Sequence, residues 1–342
     1  MTTSARIRAV LVGCGGISKS WLRAVAGDDR VEIVGLVDLD EAKAKKAAQN
    51  FNLSDVLTGT DLKVMLKKTS PDCVFDCTVP EARSAITITA LKHGCHVLCE
   101  KPLADSMANA RKMVKAAEDT GRILAVMQNR RYSPNIHALR RFIELGVIGN
   151  VTTVHCDFFI GAHFGGFRDQ MKHVLLLDMA IHTFDAVRFV TGEDPVSALC
   201  YEWNPRGSWY DYDASAVAVF EMTKGVVFGY RGSWCTEGLN TTWESEWRVI
   251  GDKGGVLWNG ADGFRAQVVM GSNGLIRTFK DMDVPFEVDK KMLQGHAGVI
   301  DEFVDCLLKG GTPKTICTDN IKSLAMVHSA IESAEKGRKV KI

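Results

Sequence analysis

Three side chains in this sequence are suited to moving a proton to or from an alcohol. Lys101 follows the apolar run His96–Cys99, and Asp178 and His182 stand four residues apart later in the chain. Oxidation of an alcohol removes a proton from oxygen while hydride leaves carbon, and a neutral imidazole, with an ordinary pKa of about 6.5, can accept that proton. A nearby ammonium stabilises the developing alkoxide. These residue types therefore indicate redox chemistry on a hydroxyl group.

The meaning of the Asp178–His182 spacing depends on the segment that carries it. The pattern predicts a helix over residues 179–190, and side chains four apart on a helix lie on the same face. Asp178 then stands at the start of that helix, where aspartate is also favoured as an N-cap. A substrate-binding role and a capping role therefore both remain open for Asp178.

A glycine-rich turn near the N-terminus is the strongest local motif. Residues 8–12 form an apolar run, residues 13–18 are Gly-Cys-Gly-Gly-Ile-Ser, and a helical pattern follows. Gly13 permits a tight turn, Gly15 lets a pyrophosphate approach the backbone, and the helix start offers free N–H groups to phosphates. Ser18 occupies the last glycine position of the usual motif. We expect a dinucleotide here, bound by Gly13, Gly15, Gly16 and Ile17.

An acidic residue ends the second predicted strand, residues 31–38. Asp38 follows Gly15 by 23 residues, close to the spacing of about 20 found in dinucleotide-binding domains. Its carboxylate can accept hydrogen bonds from ribose hydroxyls. A 2′-phosphate about 4 Å away would be repelled by roughly 4 kcal/mol at an effective dielectric constant of about 20. Because Leu39 follows, rather than an arginine, we expect NAD in preference to NADP.

Short apolar runs alternate with helical patterns through the first third of the chain. Strands that are nearly all apolar and alternate with helices indicate a parallel sheet covered on both faces. The sequence therefore predicts an α/β fold that begins with a doubly wound domain over residues 1–127. Ligands bind beyond the carboxyl ends of strands in such sheets, so we expect Lys101 beside the nicotinamide. The predicted strands are 8–12, 31–38, 73–77, 96–99 and 123–127, and the predicted helices are 19–26, 41–50, 82–92 and 106–119.

The pattern changes near Gln128, and a second domain is predicted over residues 128–342. Long alternating runs separated by glycine-bearing turns, such as residues 223–225 and 252–255, indicate an antiparallel sheet built partly from hairpins. The predicted strands are 151–159, 196–203, 214–222, 226–234, 244–250 and 264–270, and the predicted helices are 135–145, 179–190, 299–309 and 319–336.

The composition excludes several classes of protein. Among 342 residues, 42 basic and 41 acidic side chains leave a formal net charge of +1, which gives no electrostatic reason to expect nucleic acid or a membrane surface. No apolar run reaches the roughly 20 residues of a transmembrane helix. The ten cysteines form no Cys-x-x-Cys pair, which favours reduced, buried thiols over a zinc site. We expect a cytoplasmic protein without a metal centre.

Taken together, these motifs resemble the Gfo/Idh/MocA family, which includes glucose–fructose oxidoreductase and inositol dehydrogenase. The resemblance extends over nearly the whole chain: the glycine-rich turn, Asp38, Thr78-Val79-Pro80, Glu100-Lys101-Pro102, and the Asp-xxx-His pattern of Asp178 and His182. It implies an N-terminal Rossmann domain and a C-terminal α/β domain with a large, mostly antiparallel sheet. In the family, one face of that sheet commonly forms dimer or tetramer contacts.

The resemblance also implies roles for the matching residues. Lys101 would hydrogen-bond the substrate hydroxyl and the nicotinamide ribose, and His182 would be the general acid/base. Asp178 would bind the substrate or orient His182. The cofactor cleft would be lined by Thr78, Pro80 and Glu100.

Two further segments are candidates for ligand contact. Asn129 and Arg130 resemble the start of the family's Asn-Arg-Arg segment, which implies contact with nicotinamide for Asn129 and with substrate for Arg130. Arg168 lies in a glycine-rich loop before the Asp-xxx-His pattern, and that loop could shape the substrate pocket. Two departures leave the substrate open: Glu81 and Arg83 stand where the family often has Asn and His, and residues 172–176 replace a run of glycines.

We expect a dehydrogenase that transfers hydride from a sugar or cyclic polyol to NAD. One alternative is a glycosidase or epimerase that oxidises its substrate transiently and returns the hydride, which would hold NAD tightly and release no NADH. The other is a non-catalytic sensor of NAD or sugar, against which the retained Lys101, Asp178 and His182 argue. The expected partners are a small sugar or polyol and further copies of the chain, as a homodimer or homotetramer formed through the C-terminal sheet.

Overall fold

The computed structural model describes residues 6–271, 275–284 and 292–342. Helices and strands alternate in the first part of the chain, and strands predominate in the second. The strands are β1 (Ile7–Val12), β2 (Val31–Val37), β3 (Leu57–Gly59), β4 (Cys73–Asp76), β5 (His96–Cys99), β6 (Leu124–Val126), β7 (Val151–Phe159), β8 (Pro195–Trp203), β9 (Ser215–Met222), β10 (Val227–Ser233), β11 (Glu246–Gly251), β12 (Gly254–Trp258), β13 (Phe264–Val269), β14 (Phe279–Met282) and β15 (Val340–Lys341). The helices are α1 (Ser18–Val25), α2 (Glu41–Asn50), α3 (Leu62–Thr69), α4 (Pro80–Lys92), α5 (Met107–Thr120), α6 (Pro134–Glu144), α7 (Ile181–Thr191), α8 (Gly295–Lys309) and α9 (Cys317–Lys336).

The chain divides into two compact units. Unit 1 comprises Met1–Asn129 and Leu293–Leu324, and unit 2 comprises Arg130–Met292 and Ala325–Ile342. The first division lies where the sequence pattern changes, near Gln128. Unlike the predicted domain of residues 128–342, however, the second part of the chain returns to unit 1, because α8 packs against α1 and β1.

Unit 1 contains a six-stranded parallel sheet in the order β3-β2-β1-β4-β5-β6. All four residues of β4 are buried, as expected for a sheet covered on both faces. The strand order reverses between β1 and β4, which is where ligands bind in folds of this kind. The predicted doubly wound parallel sheet is confirmed.

The sequence patterns missed one strand and one helix of unit 1. Strand β3 has three residues and lies at the sheet edge, too short a run for period-two alternation to be recognised. Helix α3 begins after Asp61, whose carboxylate accepts a hydrogen bond from the Val64 N–H over 3.1 Å. Helix α4 begins at Pro80, two residues before the predicted start at residue 82, because proline is well suited to a first turn.

Unit 2 contains a nine-stranded sheet in the order β14-β13-β12-β11-β7-β10-β9-β8-β15. Only the β7–β10 pair is parallel among these described strands, so the predicted mostly antiparallel sheet is confirmed. Helix α7 packs on this sheet through Phe184, whose ring lies 4.8 Å from that of Phe220 and 5.3 Å from that of Tyr230. The sheet therefore positions the helix that carries His182.

Three local predictions for unit 2 need correction. The predicted turn over residues 252–255 is shorter, because β12 already begins at Gly254, where a Cβ would lie 2.3 Å from the Gln267 carbonyl oxygen. Strands β14 and β15, at the two edges, were not predicted. The predicted helix over residues 179–190 is a π-helical segment, Leu175–Ala180, followed by α7. Among the described residues, no helix is long and apolar enough to cross a membrane.

Candidate active site

The glycine-rich turn follows β1 and lies directly against the end of β4. Gly13 has a φ of +89°, and a Cβ on it would lie 2.9 Å from the carbonyl carbon and oxygen of Cys77. Glycine is therefore required at this position by both backbone conformation and close approach. A Cβ on Gly15 or Gly16 would meet nothing within 4 Å, so this side of the turn is open, as a bound pyrophosphate would need.

The start of α1 is also suited to phosphate. Its N-cap, Ile17, makes no side-chain capping hydrogen bond, so no side chain takes up the first N–H groups of the helix. The hydroxyl of Ser18 donates to the Gly15 carbonyl oxygen over 2.7 Å and is thereby turned into the loop. The serine thus closes the turn, and the residues present fit a dinucleotide phosphate.

Asp38 lies just beyond the carboxyl end of β2 and is half-buried. Its Oδ2 accepts a hydrogen bond from the Cys14 N–H over 2.8 Å, and its Oδ1 accepts one from the Asp40 N–H over 2.9 Å. Each oxygen retains capacity for another donor. Burial and the charge of Asp38 raise the pKa of the Cys14 thiol to about 12, so this thiol is neutral near Asp38. The arrangement fits ribose hydroxyls.

The loop after β4 is held by a buried aspartate and a buried arginine that sequence reasoning did not assign. Asp76 Oδ1 accepts hydrogen bonds from the Thr78 N–H at 3.0 Å and the Thr78 hydroxyl at 2.5 Å, and its Oδ2 accepts one from Thr87 at 2.9 Å. Burial raises the pKa of Asp76, although Arg83 and the hydroxyls oppose that rise. Arg83 donates to the carbonyl oxygens of Thr78 and Pro102. The Thr78 side chain is therefore directed towards Asp76, while Pro80 begins α4.

Lys101 follows β5, and the residue before it is bound inside unit 1. The Glu100 side chain accepts hydrogen bonds from Trp21 Nε1 at 2.7 Å and the Lys101 N–H at 3.0 Å, with His296 Nε2 at 3.4 Å. Burial alone would raise the pKa of Glu100, but hydrogen bonds from His296 and Trp21 hold it below its ordinary value. Glu100 is only 6% exposed, so it stabilises the loop from inside unit 1. Lys101 itself is half-buried.

In unit 2, two predicted ligand residues are paired with each other. Arg168 Nε donates to Asp178 Oδ2 over 2.8 Å, and Arg168 Nη2 lies 3.5 Å from Asp178 Oδ1. The guanidinium carbon of Arg168 also lies 4.8 Å from the ring centre of Phe164 and 4.9 Å from that of Phe167. These rings are 44% and 69% exposed. A carboxylate, a guanidinium and two exposed aromatic rings are thus brought together.

His182 is the second residue of α7 and is half-buried. Asp178 lies in the π-helical segment before it, so the angle between the two side chains is not that of an uninterrupted α-helix. The N-cap of α7 is Ala180 and that of the π-helical segment is Val174. The capping interpretation of Asp178 is therefore wrong, because its carboxylate binds Arg168.

Arg130 is also committed to a partner in unit 2. Its Nη1 donates to the Trp243 carbonyl oxygen and lies 3.1 Å from Glu244 Oε1, and its Nη2 lies 3.7 Å from Met179 Sδ. Arg130 thus links the loop carrying Trp243, whose ring is 48% exposed, to the segment carrying Asp178. In unit 1, Asn129 Oδ1 is buried with no hydrogen-bond partner among the described residues, which leaves it available to a ligand.

The structure therefore gathers the candidate residues into two groups. Unit 1 holds the residues predicted for the cofactor, at the carboxyl ends of its parallel strands, together with Lys101. Unit 2 holds the residues predicted for the substrate, on and around the π-helical segment and α7. The described residues include no group of three or more His, Cys, Asp or Glu side chains that could hold a metal ion.

Family comparisons match both parts of the chain. Residues 7–128 match the model described as "Oxidoreductase family, NAD-binding Rossmann fold" of the GFO/IDH/MocA proteins. Residues 136–257 match the GFO/IDH/MocA C-terminal domain. Together the two matches cover more than half of the chain.

Individual proteins show similarity along the full length. The chain is 28% identical to D-apiose dehydrogenase of Paraburkholderia graminis, covering 100% of this chain and 91% of that protein. It is 25% identical to inositol 2-dehydrogenase of Rhizobium meliloti, covering 98% and 99%. An oxidoreductase from Agrobacterium radiobacter, solved in complex with NAD+, L-tartaric acid and magnesium, shares the fold, with a TM-score of 0.85, 23% identity and 98% coverage of both chains.

Proposed function

The chain belongs to the Gfo/Idh/MocA oxidoreductase family, and we propose that it oxidises a hydroxyl group of a sugar or cyclic polyol with NAD. The predicted family, and with it an oxidoreductase with an NAD-binding domain, is confirmed. The observation that carries the proposal is the position of Lys101. Lys101 follows β5, which lies next to β4 and two strands from β1 and its open glycine turn. It therefore stands at the carboxyl ends of the parallel strands, where ligands bind in folds of this kind.

In the proposed reaction, Lys101 and His182 both act at the reacting hydroxyl. His182 accepts the hydroxyl proton, and the Lys101 ammonium stabilises the alkoxide that develops on oxygen. NAD, when bound, accepts the hydride that leaves the carbon. The glycine turn and the start of α1 bind its phosphates, Asp38 binds the adenosine ribose, and Thr78, Pro80 and Asn129 complete its site.

The substrate class follows from the side chains around Asp178. Paired with Arg168, Asp178 offers acceptors and Arg168 offers donors to adjacent sugar hydroxyls, and the exposed rings of Phe164 and Phe167 suit the apolar C–H face of a sugar. Because Arg130 is paired with Glu244, it would contribute through the loop that carries Trp243. Two of the relatives act by name on apiose and inositol, which are small polyhydroxylated molecules.

We also infer that the chain forms a homodimer or homotetramer through the sheet of unit 2. Alternate residues of β8 and β9 present apolar side chains to one face, where Leu199 pairs with Val219 and Tyr201 with Val217. All four are between 40% and 68% exposed. A continuous exposed apolar patch of this kind is typical of an interface between subunits.

A substrate panel with purified protein tests the proposed activity. Sugars and cyclic polyols are offered with NAD, and NADH is followed by its absorbance in the parent, in Lys101→Met and in His182→Asn. We expect turnover of at least one substrate and a loss of roughly a hundredfold or more in each variant. Lys115→Met, at an exposed lysine paired with Asp119, serves as the matched control and should retain turnover.

The outcome also separates the proposed activity from transient oxidation with return of the hydride. No NADH with any substrate, together with NAD retained through gel filtration and conversion of substrate to an epimer or hydrolysed glycoside, would favour transient oxidation. Substrate turnover that persists in Lys101→Met would overturn the assignment of Lys101 to the reacting hydroxyl.

A further inference from the structure

The backbone on the N-terminal side of Lys101 is fixed by a buried carboxylate. The Lys101 N–H donates to Glu100 Oε2 over 3.0 Å. The other oxygen, Oε1, accepts a hydrogen bond from Trp21 on α1 over 2.7 Å and lies 3.4 Å from Nε2 of His296 on α8. Glu100 is therefore held by two helices, and through its carboxylate these helices determine where the Lys101 backbone begins.

The backbone on the C-terminal side is fixed by a buried cation. Arg83, on α4, is 2% exposed, and its guanidinium donates to the Pro102 carbonyl oxygen and to the Thr78 carbonyl oxygen. Pro102 follows Lys101 directly, and Thr78 belongs to the loop after β4. One side chain therefore connects the loop after β5 to the loop after β4.

Arginine is well suited to this connection. Its planar guanidinium presents several N–H donors in a rigid fork, so it can serve two carbonyl oxygens from different loops at once. Lysine carries a single nitrogen on a flexible stem and can reach only part of this arrangement. The fully buried carboxylate of Asp76 interacts electrostatically with Arg83, which makes the burial of the cation tolerable.

We propose that Arg83 is a positioning residue for Lys101, and that it fixes the direction of the lysine side chain by holding the Pro102 and Thr78 carbonyl groups in place. The inference rests on the proposed role of Lys101 at the reacting hydroxyl. Arg83 is buried beneath the two loops and acts through their backbones. Its loss would loosen the segment that follows Lys101 while leaving the glycine turn and Asp38, which bind the rest of the dinucleotide, in place.

The kinetic consequence is a separation of turnover from cofactor binding. A catalytic group displaced by about 1 Å can lower a rate by roughly a hundredfold. In Arg83→Met we expect kcat to fall by about 10- to 100-fold. The Kd for NAD, measured by quenching of tryptophan fluorescence, should rise by a smaller factor, because Arg83 also holds the Thr78 loop of the proposed NAD site whereas the glycine turn and Asp38 are untouched. Arg83→Lys, which retains the charge and one nitrogen donor, should recover part of the lost kcat.

The local stability of the loop around Lys101 can also be measured without substrate turnover. Hydrogen–deuterium exchange, followed by mass spectrometry, should rise in Arg83→Met for a peptide spanning residues 98–104, because the Lys101 N–H depends on a well-held loop. Exchange in α2, residues 41–50, should stay unchanged. Arg30→Met is the matched control, because Arg30 bridges Asp28, Asp301 and Asp305 in the same unit. It should lower the thermal midpoint while kcat of the folded protein stays within about twofold of the parent.

Three outcomes would overturn the proposal. The first is a folded Arg83→Met protein with parental kcat. The second is a fall in kcat and in NAD affinity by the same factor, in proportion to the folded fraction, which is the result expected of a purely structural arginine. The third is an Arg83→Lys protein that recovers none of the lost kcat. If Arg83→Met fails to fold, kcat and the Kd for NAD are measured in Arg83→Lys instead. An active Lys101→Met protein would instead refute the proposed role of Lys101 at the reacting hydroxyl, on which this inference rests, whatever the Arg83 variants do.

Discussion

Arg168 Nε lies 2.8 Å from Asp178 Oδ2, so two residues predicted separately for the substrate form one ion pair. The side chains are 32% and 16% exposed, and the guanidinium lies against Phe164 and Phe167. Because each charge is balanced by the other, the pair presents hydrogen-bonding groups with little net charge. This favours a neutral polyhydroxylated substrate over an anionic one.

Asp178→Asn should weaken substrate use without affecting the cofactor. The substitution keeps the shape of the side chain but removes the charge, and a hydrogen bond to a charged group contributes about 1.5–3 kcal/mol. We expect kcat/KM for the sugar or polyol to fall by roughly 10- to 100-fold, with the NAD Kd unchanged. Glu144→Gln, which breaks the exposed Arg140–Glu144 pair of the same unit, should leave kcat/KM as it is. An Asp178→Asn protein with parental kcat/KM would show that Asp178 does not bind the substrate.

Asp38 should determine the preference for NAD over NADP. Asp38→Asn keeps an acceptor for the Cys14 N–H but removes the charge that repels a 2′-phosphate. We expect the ratio of kcat/KM for NADP to that for NAD to rise by at least about tenfold. Adding Leu39→Arg should raise it further, because Leu39 is 96% exposed and an arginine there can pair with phosphate.

The control for the cofactor prediction is Asp55→Asn, which removes an exposed carboxylate elsewhere in the same unit. It should leave the NADP-to-NAD ratio unchanged. If the ratio in Asp38→Asn stays at the parental value as well, Asp38 does not discriminate between the two cofactors.

The fold was largely predictable because its strongest signals are local. Strand β5 has the predicted bounds, since the three consecutive buried apolar residues Val97–Cys99 that follow His96 are typical of a strand covered on both faces. The return of Leu293–Leu324 to unit 1 was not predictable, because it depends on packing between distant residues. One such contact joins Phe75 of β4 to Phe303 of α8, with ring centres 6.4 Å apart.

The candidate site likewise has features that the sequence predicted and features that it did not. The turn at Gly13 could be predicted from the motif, and the structure supplies the reason, since the end of β4 leaves no room for a side chain. The partners of Asp178 and the connections made by Arg83 could not be predicted. Both depend on which loops meet in space, and the π-helical segment has no distinct periodicity in the sequence.

Charge on the exposed face of the unit 2 sheet should break the proposed oligomer. Val219, on β9, is 41% exposed and pairs with Leu199 and Gly229 on the neighbouring strands. In a two-fold interface, Val219→Lys places two like charges into an apolar patch, since the same surface occurs on both subunits. We expect a smaller mass by light scattering after gel filtration. Leu57→Lys, at a comparably exposed leucine of unit 1, should not change the mass, and an unchanged mass in Val219→Lys would rule out this face.

A half-buried histidine paired with a buried acid should make stability depend on pH. His173, just before the π-helical segment, has Nδ1 2.7 Å from Oε2 of Glu202 on β8, and Glu335 on α9 lies 3.7 Å from its Nε2. The hydrogen bond to Glu202 raises the pKa of His173 despite burial, and Asp213 adds to the rise. Burial raises the pKa of Glu202. The folded chain therefore binds the proton of this pair more tightly than the unfolded chain does.

The sign of the effect follows from that linkage. The pair stabilises the fold fully below the unfolded histidine pKa of about 6.5, and this stabilisation is lost as the pH rises through the higher folded pKa. His173→Asn tests it, because asparagine tolerates the φ of +53° at this residue. We expect the stability difference between parent and variant, from urea unfolding, to shrink by about 1 kcal/mol or less between about pH 6 and pH 8.5. In a Glu202→Gln background the same substitution should show no such dependence, and a dependence that survives there would assign it to other groups.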